Sequence, residues 1–154
     1  ARSFNKWLLA LCAMLAALWA PTARAQCAVS VSGFAFGSYD VFAATNLDST
    51  ANLTINCTIN TDARVTMGPS STSGSINTRQ LRAASGTDRL NYNLFINSGR
   101  TVVWGDGVTG GSAATAVGVR RGVPFVGRIF GRIPAGQDVG AGAYTDQVIV
   151  SVTP

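Results

Sequence analysis

The chain contains no histidine and no glutamate, and its one lysine, Lys6, stands near the start. Without an imidazole there is no Ser–His or Cys–His nucleophile and no histidine-held metal site. The acidic residues are aspartates alone, at 40, 48, 62, 88, 106, 138 and 146. Six of the seven lie within two residues of Gly, Asn or Ser, the setting of turn and cap aspartates. No D-x-[DN]-x-[DN]-G run offers a calcium loop. The expectation is a protein with no enzymatic activity, no cofactor and no metal.

Apolar runs are equally scarce, and the longest is informative. Residues 7–20 (WLLALCAMLAALWA) follow the positive Arg2 and Lys6, and end at Pro21 ahead of Ala23-Arg24-Ala25. Positive start, short apolar core and small-x-small site make a secretory signal peptide over residues 1–25. Fourteen apolar residues fall short of a comfortable membrane span; an uncleaved signal anchor is the alternative. Cleavage after Ala25 leaves one domain at 26–154, long enough to bury a core. That domain has nine arginines against seven aspartates, a net of +2. Spread singly or in one pair, the arginines form no nucleic-acid stripe. The expected destination is the periplasm and then the cell surface, with no nucleic-acid partner and no stable membrane span.

Two cysteines remain after cleavage, Cys27 and Cys57, in a chain bound for an oxidising compartment. Cys27 shares the apolar parity of Val29 and Val31, and Cys57 that of Leu53, Ile55 and Ile59. Two inward cysteines on neighbouring strands are expected to bridge. Free thiols or a metal pair are the alternative, without any other soft ligand.

Beyond residue 25 no helical period outlasts a turn. Apolar alternation instead marks strands at 27–31, 51–60, 64–67, 79–83, 89–96, 101–104, 122–133 and 144–153. At Gly33 the apolar parity switches, from Val29 and Val31 to Phe34 and Phe36, as at a bulge or strand break. Residues 38–50 and 70–75 read as loops. The glycine-rich 105–118 reads as a mobile loop, lacking the G-K-[ST] ending of a phosphate cradle. Gly127 and Gly131 take the inward parity of their strand, where a bulky ring or another backbone can approach. Phe95 and Phe130 point outward and are expected partly under loops; Trp104 is expected in the core or at its rim. In the final strand Tyr144, Val148, Val150 and Val152 share one face, with Asp146 on the same parity at the rim. Short strands between turn signals indicate an all-β sandwich.

Four blocks carry a resemblance: G-x-Y-x-D at 142–146 before alternating valines, NYNLFI at 91–96, VVWGDG at 102–107 and IFGRIPAGQ at 129–137. In order over about 27–154, they resemble the spore coat protein U family, which includes pilins of archaic chaperone–usher pili. The resemblance implies an incomplete immunoglobulin-like sandwich lacking its last strand. It implies as partners a periplasmic chaperone, an usher and another pilin subunit that supplies the strand. The function implied is that of a secreted structural or adhesive pilus subunit.

An open sheet edge leaves unpaired N–H and C=O groups above apolar core, and a partner strand can satisfy both. The expected groove walls are Val148, Val150 and Val152 on one side and Val29, Val31, Phe34 and Phe36 on the other. Polymerising members of the family carry an alternating apolar donor segment ahead of the first cysteine. Here cleavage leaves Gln26 alone, and residues 21–25 would add no large apolar side chain. The chain is thus expected to accept a strand without donating one, at the tip or a chain end. Two rival readings are a self-contained secreted coat or carbohydrate-binding sandwich, and a periplasmic hydrolase using two aspartates.

Overall fold

The computed structural model describes residues 26–154, so the expected signal peptide lies outside the described residues. Nine strands follow in order: β1 (Cys27–Val31), β2 (Leu47–Cys57), β3 (Thr61–Met67), β4 (Arg79–Ala83), β5 (Arg89–Phe95), β6 (Ala114–Val119), β7 (Phe125–Ile133), β8 (Tyr144–Thr145) and β9 (Val150–Thr153). They form a six-stranded sheet, β1-β2-β7-β5-β4-β8, and a three-stranded sheet, β6-β3-β9. Every ladder is antiparallel. This is an all-β, incomplete immunoglobulin-like sandwich.

Alternation builds the core. From Ala51 to Cys57 the odd residues of β2 are buried, while Asn52, Asn56 and half-buried Thr54 face the other way. Leu53 and Ile55 meet Val65, Met67, Leu90, Leu94, Trp104 and Ile129 between the sheets. Each such large side chain contributes about 1.5–3 kcal/mol on burial. Cys27 and Cys57 are direct cross-strand partners and are disulfide-bonded, with Cα atoms 4.1 Å apart. Closing that loop contributes roughly 3–4 kcal/mol by chain entropy. The bond ties β1, which has one strand neighbour, to that neighbour, β2.

Ahead of the final strand, three segments differ most from the sequence expectation. β2 begins at Leu47, because Asp48 pairs across the ladder with Arg132 through two hydrogen bonds of 2.7 and 2.9 Å. Residues 101–104 make only isolated bridges, at Val103 and Trp104. The stretch 105–118 is not one mobile loop. Its first part is a turn in which the Asp106 carboxylate accepts the N–H groups of Val108, Thr109 and Gly110. Its second part begins β6, where only Ala116 and Val119 are buried and the apolar signal is correspondingly faint.

The outward aromatics are covered as expected. Phe130 is half-buried, with the Arg100 guanidinium 5.8 Å from its ring centroid. Arg100 is also fixed to the Gly131 and Ser49 carbonyls. Trp104 is buried and donates its Nε1–H to the Val65 carbonyl at 3.0 Å.

Candidate functional site

Among the described residues the larger sheet ends at β1 and β8 and the smaller at β6 and β9; of these four edges, β1 and β9 carry the valines expected in the groove. β1 bonds β2 through its even-numbered neighbours. Ser32 N–H donates to Asn52 at 3.0 Å and Thr58 N–H to Gln26 at 2.8 Å. By ladder alternation, the N–H and C=O groups of Val29 and Val31 face away from β2. On the other side, Gly68 N–H donates to Ile149 at 2.9 Å and Ser71 N–H to Gln147 at 3.0 Å. The main-chain groups of Val148, Val150 and Val152 therefore face away from β3. No ladder joins β1 to β9.

An apolar cavity of about 1000 Å³ opens beside these edges. Of the seven expected wall residues, Val31, Phe34, Phe36, Val148 and Val150 line it. Val29 and Val152 pack against the core without lining the cavity. The parity switch at Gly33 has a clear outcome: β1 ends at Val31, and the chain runs on irregularly so that Phe34 and Phe36 also turn inward. Their rings pack edge-to-face at 5.0 Å, and Phe36 meets Tyr92 the same way at 5.7 Å. Gly131 lies beneath them. A Cβ there would come within 2.9 Å of Phe36 Cε1 and closer still to Phe34. The inward glycine is the space in which the aromatic wall sits.

The floor was harder to anticipate. Met67, Leu81, Leu90, Tyr92 and Tyr144 also line the cavity. Alternation showed Leu90, Tyr92 and Tyr144 pointing inward, but not that β4 and β5 curl round to the open side. Tyr39 joins from a loop, its hydroxyl donating to Pro134 and accepting from Gln137 N–H.

The final strand of the sequence reading is broken in two. Tyr144–Thr145 adds to the larger sheet and Val150–Thr153 to the smaller. Asp146 holds the crossing point. Its carboxylate accepts from Ser71 Oγ at 2.9 Å, Thr72 N–H at 3.1 Å and Tyr92 Oη at 2.6 Å. Partial burial pushes this carboxyl up, but hydrogen bonds from Tyr92 and the serines outweigh it and hold the group below its ordinary value. Burial, and then the Asp146 contact, push the Tyr92 phenol far up, so it stays a donor.

Arg79 stands behind this crossing with no solvent exposure. It donates to the Met67, Gly68 and Trp104 carbonyls and to Asn93 Oδ1. Desolvation lowers its pKa from that of a free arginine. Four acceptors from three segments converge on one guanidinium and fix the end of β3 beside the groove. Sequence alternation gave no sign of a buried arginine.

The Spore Coat Protein U domain matches residues 12–151. Protein U of Myxococcus xanthus is 31% identical over 128 residues, covering 77% of this chain and 69% of that protein. Two solved structures share the fold. A chain of the CsuC–CsuE chaperone–tip adhesion subunit complex, from archaic chaperone–usher Csu pili of Acinetobacter baumannii, aligns with a TM-score of 0.56 at 23% identity. A chain of a chaperone–tip adhesin complex of CFA/I fimbriae aligns with a TM-score of 0.54 at 15% identity. Each alignment covers 82% of this chain and about two-fifths of the other, 38% and 41% respectively. By the extent of the domain match and its likeness to Protein U, the chain belongs to the Spore Coat Protein U family.

Proposed function

We propose that the groove accepts a β-strand from another protein, and that the chain is an exported subunit of a chaperone–usher pilus. One observation carries this reading: two unbonded strand edges lie beside one apolar cavity, with the main-chain groups of alternate valines turned away from their own sheets. Such a gap is a liability when bare and a binding site when filled. A strand laid into it satisfies main-chain groups on one or both sides, while every second side chain enters the cavity.

The successive occupants in this proposal are a periplasmic chaperone and a neighbouring subunit transferred at an usher. The fold likeness to chains of two chaperone–tip subunit complexes supports that class of partner. We further propose that this chain accepts a strand but donates none. With cleavage after Ala25 or even after Ala20, residues ahead of Cys27 include no large apolar side chain to seat in a second groove. On this proposal the chain belongs at a fibre tip or chain end. The rival is a coat-type subunit outside any fibre.

The experiment is to mix the labelled, chaperone-bound chain with chaperone-bound shaft subunits. Label confined to one end supports the proposal. Label along the shaft, or homopolymers of this chain alone, overturns the terminal placement; failure to take up any donor strand overturns acceptance itself.

A further inference from the structure

A second cleft lies on the outer face of the β4–β5 ladder. Arg82 and Arg89 are direct cross-strand partners, and Arg82 is in turn opposite Thr145 of β8. Direct partners share a face, so Arg89, Arg82 and Thr145 form a row across three strands. With Ser71, Thr72, Asp146 and Gln147 they line a cavity of about 250 Å³.

Like charges set directly opposite each other are unfavourable in a ladder, and among the described residues neither of these two is held in an ion pair: the ion pairs join Arg100 and Arg132 to Asp48. Arg89 donates to the carbonyls of its own turn, Thr87 and Asp88. Asp146, the one carboxylate on the cleft, is occupied by Ser71, Thr72 and Tyr92. Two guanidiniums thus face a small polar space that holds a single carboxylate, leaving a net positive charge on the cleft.

We infer that this cleft binds an anionic group, carboxylate or sulfate, carried on an acidic polysaccharide. Guanidinium matches the planar or forked geometry of such anions. Thr72, Thr145 and Gln147 offer hydroxyl and amide groups suited to sugar hydroxyls. The volume accommodates about one sugar unit, below the usual range for larger ligands. Nucleic acid fits poorly, because the cleft has no aromatic ring for base stacking and no track of further cations. A membrane fits poorly too, since no apolar side chain lines it. The two arginines belong to this cleft alone, while Thr145 and Asp146 also line the strand groove.

The test uses the secreted full chain and measures affinity for polygalacturonate and dextran sulfate, with neutral dextran and inorganic phosphate as comparisons. Wild type is expected to bind the acidic polymers and not dextran. Arg82→Gln and Arg89→Gln should each weaken binding, and the double variant should weaken it at least tenfold. Its melting temperature should stay equal or rise, because the opposed charges are gone. Arg120→Gln/Arg121→Gln removes the same charge elsewhere and should bind as wild type. Equal weakening by that control, equal binding of neutral dextran, binding of phosphate without the polymers, or no binding at all would each overturn the inference.

Discussion

Gly131 and Gly127 occupy the same inward parity of one strand, yet the structure assigns them opposite responses to an added methyl group. At Gly127 a Cβ would meet Phe125 Cε1 at 3.8 Å and Leu53 Cδ2 at 3.9 Å, ordinary contacts. Gly127→Ala should therefore stabilise by about 0.5–1 kcal/mol, the usual cost of glycine inside a strand. At Gly131 the Cβ would approach Phe36 Cε1 to 2.9 Å and overlap Phe34. Overpacking of this kind costs about 1–3 kcal/mol. Set against the same glycine gain, Gly131→Ala should lose up to about 2.5 kcal/mol. The assay is urea unfolding of the disulfide-bonded chain, comparing midpoints at equal slope. Adding Phe34→Leu should relieve the overlap, giving a coupling of about 0.5 kcal/mol or more in a double-mutant cycle. Equal stability of the two alanine variants, or purely additive effects with Phe34→Leu, would refute the account of the aromatic wall.

Three further outcomes are expected. Cys27→Ser or Cys57→Ser should lower stability by roughly 3–4 kcal/mol and give a protease-sensitive chain of low yield; two free thiols in the native protein, seen by mass spectrometry, would contradict the bridge. Arg79→Met should destabilise by about 3 kcal/mol or more, since it strands buried acceptors on Met67, Gly68, Trp104 and Asn93; a wild-type urea midpoint would count against the clamp. Asp146 has a lowered native pKa, so its contribution is present above its free value of 3.8 and is lost as pH falls through the lower native one. The stability gap between wild type and Asp146→Asn should accordingly be constant near neutral pH and shrink in acid, as read from urea midpoints across that range; a gap that widens in acid would reverse the sign.

Period-two alternation was enough for the strands that carry the core. Leu53, Ile55 and Cys57 on β2 and Leu90, Tyr92 and Leu94 on β5 are buried as their parity requires. It failed where burial depends on distant partners. β6 buries only two residues, so its pattern was weak. The valines of 148–152 kept perfect parity across a crossing between sheets, because Asp146 breaks the strand through its side chain rather than through a shift of parity. At the candidate site, local alternation and the change at Gly33 pointed to five residues that line the cavity, Val31, Phe34, Phe36, Val148 and Val150. The floor depends on sheet curvature, and Arg79 on convergence of carbonyls from separate segments. Neither property is local to a sequence window.

The claim that the groove takes a strand is tested most directly by tethering one. An alternating apolar segment, joined after Pro154 through a flexible linker, should raise the unfolding free energy by several kcal/mol. Each large aliphatic side chain seated in the cavity contributes about 1.5–3 kcal/mol before the cost of ordering the segment. A polar segment of equal length should do nothing, and Val148→Asp or Val150→Asp should abolish most of the gain. An unchanged melting temperature for an apolar segment shown to occupy the groove would contradict the account, because it would mean that the fold gains nothing from the added strand.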